Sequence, residues 1–202
     1  MKALSALIGL VYPFAIFLGL QWLSPRALAL VIGLILLVRV VIRLRGRAWQ
    51  HLAPLLRAAG LVGGLVGLAA LFDDGRYFKL LPVMVNAGLC LAFARSLAHG
   101  PSMVETLARL HYSRVPDDHL PYCHRVTLVW SVFFALNALF ILWLAAAASL
   151  EAWMLYTGLI AYLLAGALFV TEAVYRAWRF RHYEDGPGDA ILRRIFPPRV
   201  GA

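Results

Sequence analysis

The sequence predicts an all-α integral membrane protein, a helical bundle of about six transmembrane helices with one short cytoplasmic interfacial helix, and three observations carry that prediction. Of 202 residues, 62% are apolar and 14% charged, whereas a soluble domain holds about 45–50% and about 25%. Such a chain cannot clothe a core in a hydrated shell. The apolar residues fall into runs of about 20, the length a helix needs to cross a hydrocarbon core about 30 Å thick. The net charge of +9 is concentrated between alternate runs. Together these exclude an ordinary soluble enzyme, a disordered tail and a disulfide-stapled secreted domain. Cys90, inside an apolar run, and Cys123, in a polar segment, give no sign of an oxidised framework.

The first run, residues 3–23, follows Lys2 and precedes Ala27-Leu28-Ala29, which has the form of a signal-peptide cleavage site. A second apolar run follows at once, where a mature polar domain would otherwise begin. Ser24-Pro25-Arg26 therefore reads as a tight turn, with the second span over 27–44. The third span, 55–72, carries Gly60, Gly63, Gly64 and Gly67 in overlapping Gly-x-x-x-Gly spacings. Glycines four apart share a helix face and let another backbone approach, which predicts a helix packed inside the bundle and leaves a homodimer through that face open. Asp73-Asp74-Gly75-Arg76 is the next turn, with Tyr77 and Phe78 as interfacial aromatic anchors.

The fourth span covers 79–97 and stops at Gly100-Pro101. Ser102-Met103-Val104-Glu105 has capping-box spacing, in which serine caps a helix start and glutamate reaches back to the cap's amide. Met103, Leu107 and Leu110 then recur opposite Glu105 and Arg109, predicting a short helix in the headgroup region. Residues 99–125 form a cytoplasmic loop containing Pro116 and Pro121. The fifth span covers 126–148, Ser149-Leu150-Glu151 turns the chain, and the sixth covers 152–175. The result is a single multi-pass domain over 1–180 and a basic tail over 181–202, without repeats.

The basic residues test this map. Lys2, Arg39, Arg43, Arg45, Arg47, Arg57, Arg95, Arg109, Arg114, Arg125, Arg176, Arg179, Arg181, Arg193, Arg194 and Arg199 fall on one side; only Arg26, Arg76 and Lys79 fall on the other. Cytoplasmic loops carry the lysine and arginine excess, so both termini are expected in the cytoplasm. Net positive charge also marks nucleic-acid binders, but here it is topological and no nucleic-acid partner is expected. The expected partners are membrane lipids, with anionic headgroups at the tail.

Ionisable residues inside a bilayer are functional candidates because they are expensive to place there. Arg39, late in the second span, and Glu172, late in the sixth, could pair; alternatively Arg39 snorkels to the headgroups and Glu172 meets a tail arginine. Asn86 and Asn137 suit interhelical hydrogen bonding. No mid-membrane carboxylate of a proton-coupled pump is present. The loop residues His111, Asp117, Asp118, His119, Cys123 and His124 are metal-ligating types, yet no paired Cys-x-x-Cys or His-x-x-x-His spacing occurs, so neither metal nor cofactor is expected. Cys123 beside His124 in an extended loop would point the two side chains apart.

Two stretches carry a family likeness. Phe72-Asp73-Asp74-Gly75-Arg76-Tyr77-Phe78-Lys79 opens one span; Leu120-Pro121 leads through Arg125 into Val129-Trp130-Ser131-Val132-Phe133-Phe134-Ala135-Leu136-Asn137. Over residues 55–176, with Trp153 and Gly158 also in order, the chain resembles the intracellular septation protein A family of bacterial inner-membrane proteins. It also resembles a related group of uncharacterised inner-membrane proteins whose genes often accompany ketosynthase, acyl-carrier and acyltransferase genes of aryl-polyene-like lipid clusters. The resemblance implies a bacterial inner-membrane accessory or scaffold in envelope or envelope-lipid biogenesis, working through other envelope proteins without established catalysis. Its positions here are Asp74, Phe78, Lys79, Pro121, Arg125, Trp130, Phe133, Phe134 and Asn137, which interfacial anchoring and packing would also explain. Two alternatives remain at this level: a small transporter or flippase subunit for a lipid or lipid-linked pigment, using Arg39, Asn86, Asn137 and Glu172, and an intramembrane enzyme acting on acyl or prenyl lipids through Asp118, His119, Cys123 and His124.

Overall fold

The computed structural model describes residues 2–45, 52–109, 116, 119–181 and 189–197. Every regular element among them is helical: α1 (Lys2–Trp22), α2 (Pro25–Arg45), α3 (Leu52–Phe72), α4 (Arg76–Lys79), α5 (Leu81–Ala98), α6 (Met103–Ala108), α7 (Leu120–Ala147), α8 (Leu150–Leu155), a π-helical turn at Tyr156–Ile160, α9 (Ala161–Phe180) and α10 (Asp189–Ile195). Among the described residues, three stretches are long and apolar enough to cross a membrane: Arg76–Ala98, Leu120–Ala147 and Leu150–Phe180. The expected spans at 79–97 and 152–175 lie within these, the one at 126–148 overruns Ala147 by one residue, and each helical stretch is longer than the sequence suggested.

Proline explains much of the difference. Pro25, Pro54, Pro82 and Pro121 all stand in the first turn of a helix, where the missing N–H has no intrahelical acceptor to serve and the fixed φ suits the helix. Pro121 therefore starts α7 rather than shaping a loop, and Tyr122, Cys123, His124 and Arg125 are helical. The expected loop over 99–125 is divided by this start and by α6. Beyond the expected end of the sixth span at 175, α9 continues to Phe180, and α10 adds a helical segment in the basic tail.

The chain divides into two units, Met1–Gly158 and Leu159–Ala202. In the first, α2 packs on α3, α5 on α7, and α8 on α1 and α7. Their shared core gathers Ile16, Leu28, Ala29, Val66, Ala69, Phe78, Ile141, Leu144, Ala145 and Trp153. This apolar cluster sits towards the end that carries the turns at Ser24, Asp73 and Ser149. Large apolar side chains elsewhere on α2, α5 and α7 are exposed.

The turns at that end cap one another. Asp73 Oδ1 accepts from the Arg26 N–H at 2.9 Å, at the start of α2, while Arg26 Nε donates to the Ala70 carbonyl at 3.0 Å, in the last turn of α3. A carboxylate thus meets the positive end of one helix dipole and a guanidinium the negative end of the other. Asp73 adopts a left-handed φ of 51° to do so, a conformation aspartate tolerates better than most residues. Ser24 and Ser149 each accept from the N–H three residues on, capping α2 and α8.

Candidate functional site

An asparagine amide within a hydrophobic helix must find partners in the protein, because lipid offers none. Asn137 on α7, 7% exposed, finds two. Its Nδ2 donates to Asn86 Oδ1 on α5 at 2.8 Å, and its Oδ1 accepts from the Tyr156 hydroxyl at 2.7 Å. Asn86 Nδ2 in turn donates to the Pro82 carbonyl at 2.8 Å. The three side chains join α5, α7 and the helix that begins at Leu150. All three groups are neutral, so the relay can fix register and bond a neutral polar group, but holds no acid–base pair.

Tyr156 opens the π-helical turn, an irregularity often found at functional positions. Thr157 Oγ1 donates to the Trp153 carbonyl at 2.7 Å. Gly158 faces the Phe14 ring so closely that a Cβ there would stand 2.7 Å from Phe14 Cε2. Trp153 is fully buried, and its Nε1 has no hydrogen-bond partner among the described residues. Sequence reasoning found the asparagines but missed Tyr156, which sits in an apolar run like any packing aromatic. Stepping from Asn137 to a hydroxyl 19 residues away requires the fold.

A second polar contact ties α1 to α4. The Phe78 carbonyl accepts a backbone N–H at the C-cap of α4, and the Tyr12 hydroxyl of α1 also donates to it at 2.9 Å. Phe78 itself is a correction to the sequence reading: it is 2% exposed and belongs to the core, because the break at Leu80 turns its ring inward from α4. Tyr77 stacks on Phe72 with centroids 5.9 Å apart. Asp74 Oδ1 accepts from the Arg76 N–H at 2.8 Å, and Lys79 lies within electrostatic reach of Asp74 and Glu151.

The other motif positions form a packing cluster. Trp130 lies against Phe133 and Phe134, all with centroids 5.6 Å apart, and Phe134 meets Phe93 of α5 edge-on at 5.3 Å. Pro121 and Arg125 are exposed on the first turns of α7. Here α6 is held by its N–H groups: Met103 N–H donates to Ser96 Oγ, Val104 N–H to Thr127 Oγ1 and Glu105 N–H to Ser102 Oγ, at 2.9, 3.1 and 3.3 Å. The serine cap is thus present, but the expected reciprocal bond from Glu105 is replaced. Its carboxylate takes Nε and Nη2 of Arg109 at 3.0 and 2.7 Å, a two-donor charged partner one turn on that outcompetes a single amide.

The glycine stripe departs from expectation. A Cβ at Gly60, Gly63, Gly64 or Gly67 would meet nothing within 4 Å, and all four residues are exposed. The close approach predicted inside the bundle is not made by any described residue, because α3 turns Val66 and Ala69 inward instead. Glu172 lies 3.6 Å from Arg176 on its own helix. Arg39 sits on α2, and its side chain is outside the described part, as are His111, Asp117 and Asp118. Among the described residues, no three His, Cys, Asp or Glu side chains gather as a metal site, and neither Cys90 nor Cys123 forms a disulfide.

The chain matches no family model, no curated protein and no solved structure. Its site must be judged on geometry alone. That geometry joins helices by neutral hydrogen bonds and, among the described residues, leaves apolar and glycine faces exposed.

Proposed function

We propose that this protein is a non-enzymatic, multi-pass inner-membrane accessory or scaffold in bacterial envelope or envelope-lipid biogenesis. The observation that carries this reading is the Asn86–Asn137–Tyr156 relay, whose polar groups bond one another and make a rigid frame. In the same reading α1, α2 and α3 cross the membrane with the three longer stretches, making six spans. Each has 21 residues, about 30 Å at 1.5 Å per residue, enough for the hydrocarbon core. The arginine distribution supports a cytoplasmic location for both termini. The uncovered glycine stripe of α3 is compatible with close approach by a partner helix or a second copy.

The test is isolation of the tagged chain from its native membrane after mild crosslinking, with proteins and lipids identified by mass spectrometry. A reproducible envelope-protein partner or retained lipid is expected. Recovery of the bare chain with neither would overturn the proposal.

A further inference from the structure

In the unit Leu159–Ala202, the last turns of α9 present Tyr175 and Trp178, both exposed, with ring centroids 5.8 Å apart. Aromatic rings of this kind prefer the boundary between hydrocarbon and headgroups. Arg176 and Arg179 flank them, so the guanidinium groups stand at headgroup depth when the rings stand at the boundary. The chain then leaves the helix at Arg181, which has a left-handed φ of 51°.

That residue also holds the tail. Arg181 Nη1 donates to the Pro197 carbonyl at 3.3 Å, just beyond α10, and α10 packs on α9. The fold-back brings Arg193 and Arg194, both exposed, to the same basic end of this unit, with Ile195 60% exposed beside them. Glu172 compensates Arg176 at 3.6 Å. A pair of arginines next to an exposed isoleucine on a short helix is an interfacial pattern: cations for phosphates, an apolar side chain for the acyl boundary.

We propose that the end of α9 and the folded-back α10 form a docking surface for anionic phospholipid headgroups, with Arg179, Arg193 and Arg194 in the phosphate layer and Trp178 and Ile195 at the acyl boundary. Charge complementarity selects this occupant. An acidic protein would meet the guanidinium groups but would leave Trp178 and Ile195 without an apolar medium, whereas a lipid monolayer supplies both. The proposal requires α9 to lie in a membrane but does not depend on the accessory role. A failure of membrane insertion would show as loss of the chain from reconstituted vesicles, before any lipid preference is read.

The experiment uses the full chain, reconstituted in vesicles of equal parts phosphatidylcholine and phosphatidylglycerol and then titrated in detergent with each lipid by native mass spectrometry. Phosphatidylglycerol is expected to bind in preference. Arg193→Gln/Arg194→Gln should reduce that preference by about thirtyfold, which corresponds to about 1 kcal/mol per basic residue at the surface. Arg193→Lys/Arg194→Lys should retain most of it, and Arg26→Gln, outside the cluster, all of it. Circular dichroism confirms that each variant stays helical. Equal binding of the two lipids by the wild type would overturn the proposal, as would unchanged preference in the glutamine variant. Displacement of the lipid by inorganic phosphate at matched concentration would also overturn it, since a free phosphate site has no use for the apolar rim.

Discussion

A double-mutant cycle between Asn137 and Tyr156 tests the intramembrane relay. Tyr156→Phe removes one hydroxyl, and Asn137→Leu replaces the amide with an apolar side chain of similar size. Interhelical hydrogen bonds in membranes average about 0.6 kcal/mol and reach about 1.7. The Tyr156 bond is 2.7 Å long and ends on a side chain that is 7% exposed, so its coupling belongs in the upper half of that range, about 1–1.5 kcal/mol. Asn137→Leu alone should cost more, about 2 kcal/mol, because it also strips Asn86 Oδ1 of its donor and leaves two partly buried polar groups unmet. Reversible unfolding by steric trapping in bicelles reads all four states. A coupling of about 1 kcal/mol is roughly a fivefold change in the unfolding constant. Independent sites add to within about 0.3–0.5 kcal/mol; a measured coupling below that would mean the relay does not join the helices.

Three further outcomes follow from the geometry. Tyr12→Phe should cost about 0.5–1.5 kcal/mol, the net worth of one hydrogen bond to a carbonyl that keeps a backbone donor; an unchanged unfolding constant in the same assay would refute a contribution from that contact. Gly63→Ala should be neutral or stabilising by up to about 1 kcal/mol, since its Cβ meets nothing, whereas Gly158→Ala should cost about 1 kcal/mol as the Phe14 ring is displaced; a reversed order of thermal stabilities in detergent would contradict the packing described. Asp73→Ala should lose about 1 kcal/mol of capping, while Asp73→Asn, which keeps an acceptor and tolerates the left-handed φ, should lose little; comparable denaturation midpoints for the two variants would argue against the cap.

Asn86 and Asn137 were legible as hydrogen-bonding residues because an amide in an apolar run has few other uses. Their joining by Tyr156 was not, since nothing local separates that tyrosine from Tyr162 or Tyr175. Tyr12 was hidden for the same reason. The prolines misled in one direction: Pro121 looks like a loop residue until its place in the first turn of α7 is known. The glycines misled in the other, because their spacing reports that a close approach is sterically allowed, not that any helix makes it.

The sequence by itself determined that the chain is helical, that long apolar stretches can cross a membrane, and where most turns lie. These follow from composition and periodicity, which act through solvent and backbone and require no partner. The tertiary structure alone decided which polar side chains meet, that Phe78 points inward, that the stripe on α3 points outward, and that the tail folds back through Arg181. Each of these depends on the rotation of one helix against another. A turn of a few tens of degrees about a helix axis leaves hydropathy unchanged yet replaces every neighbour.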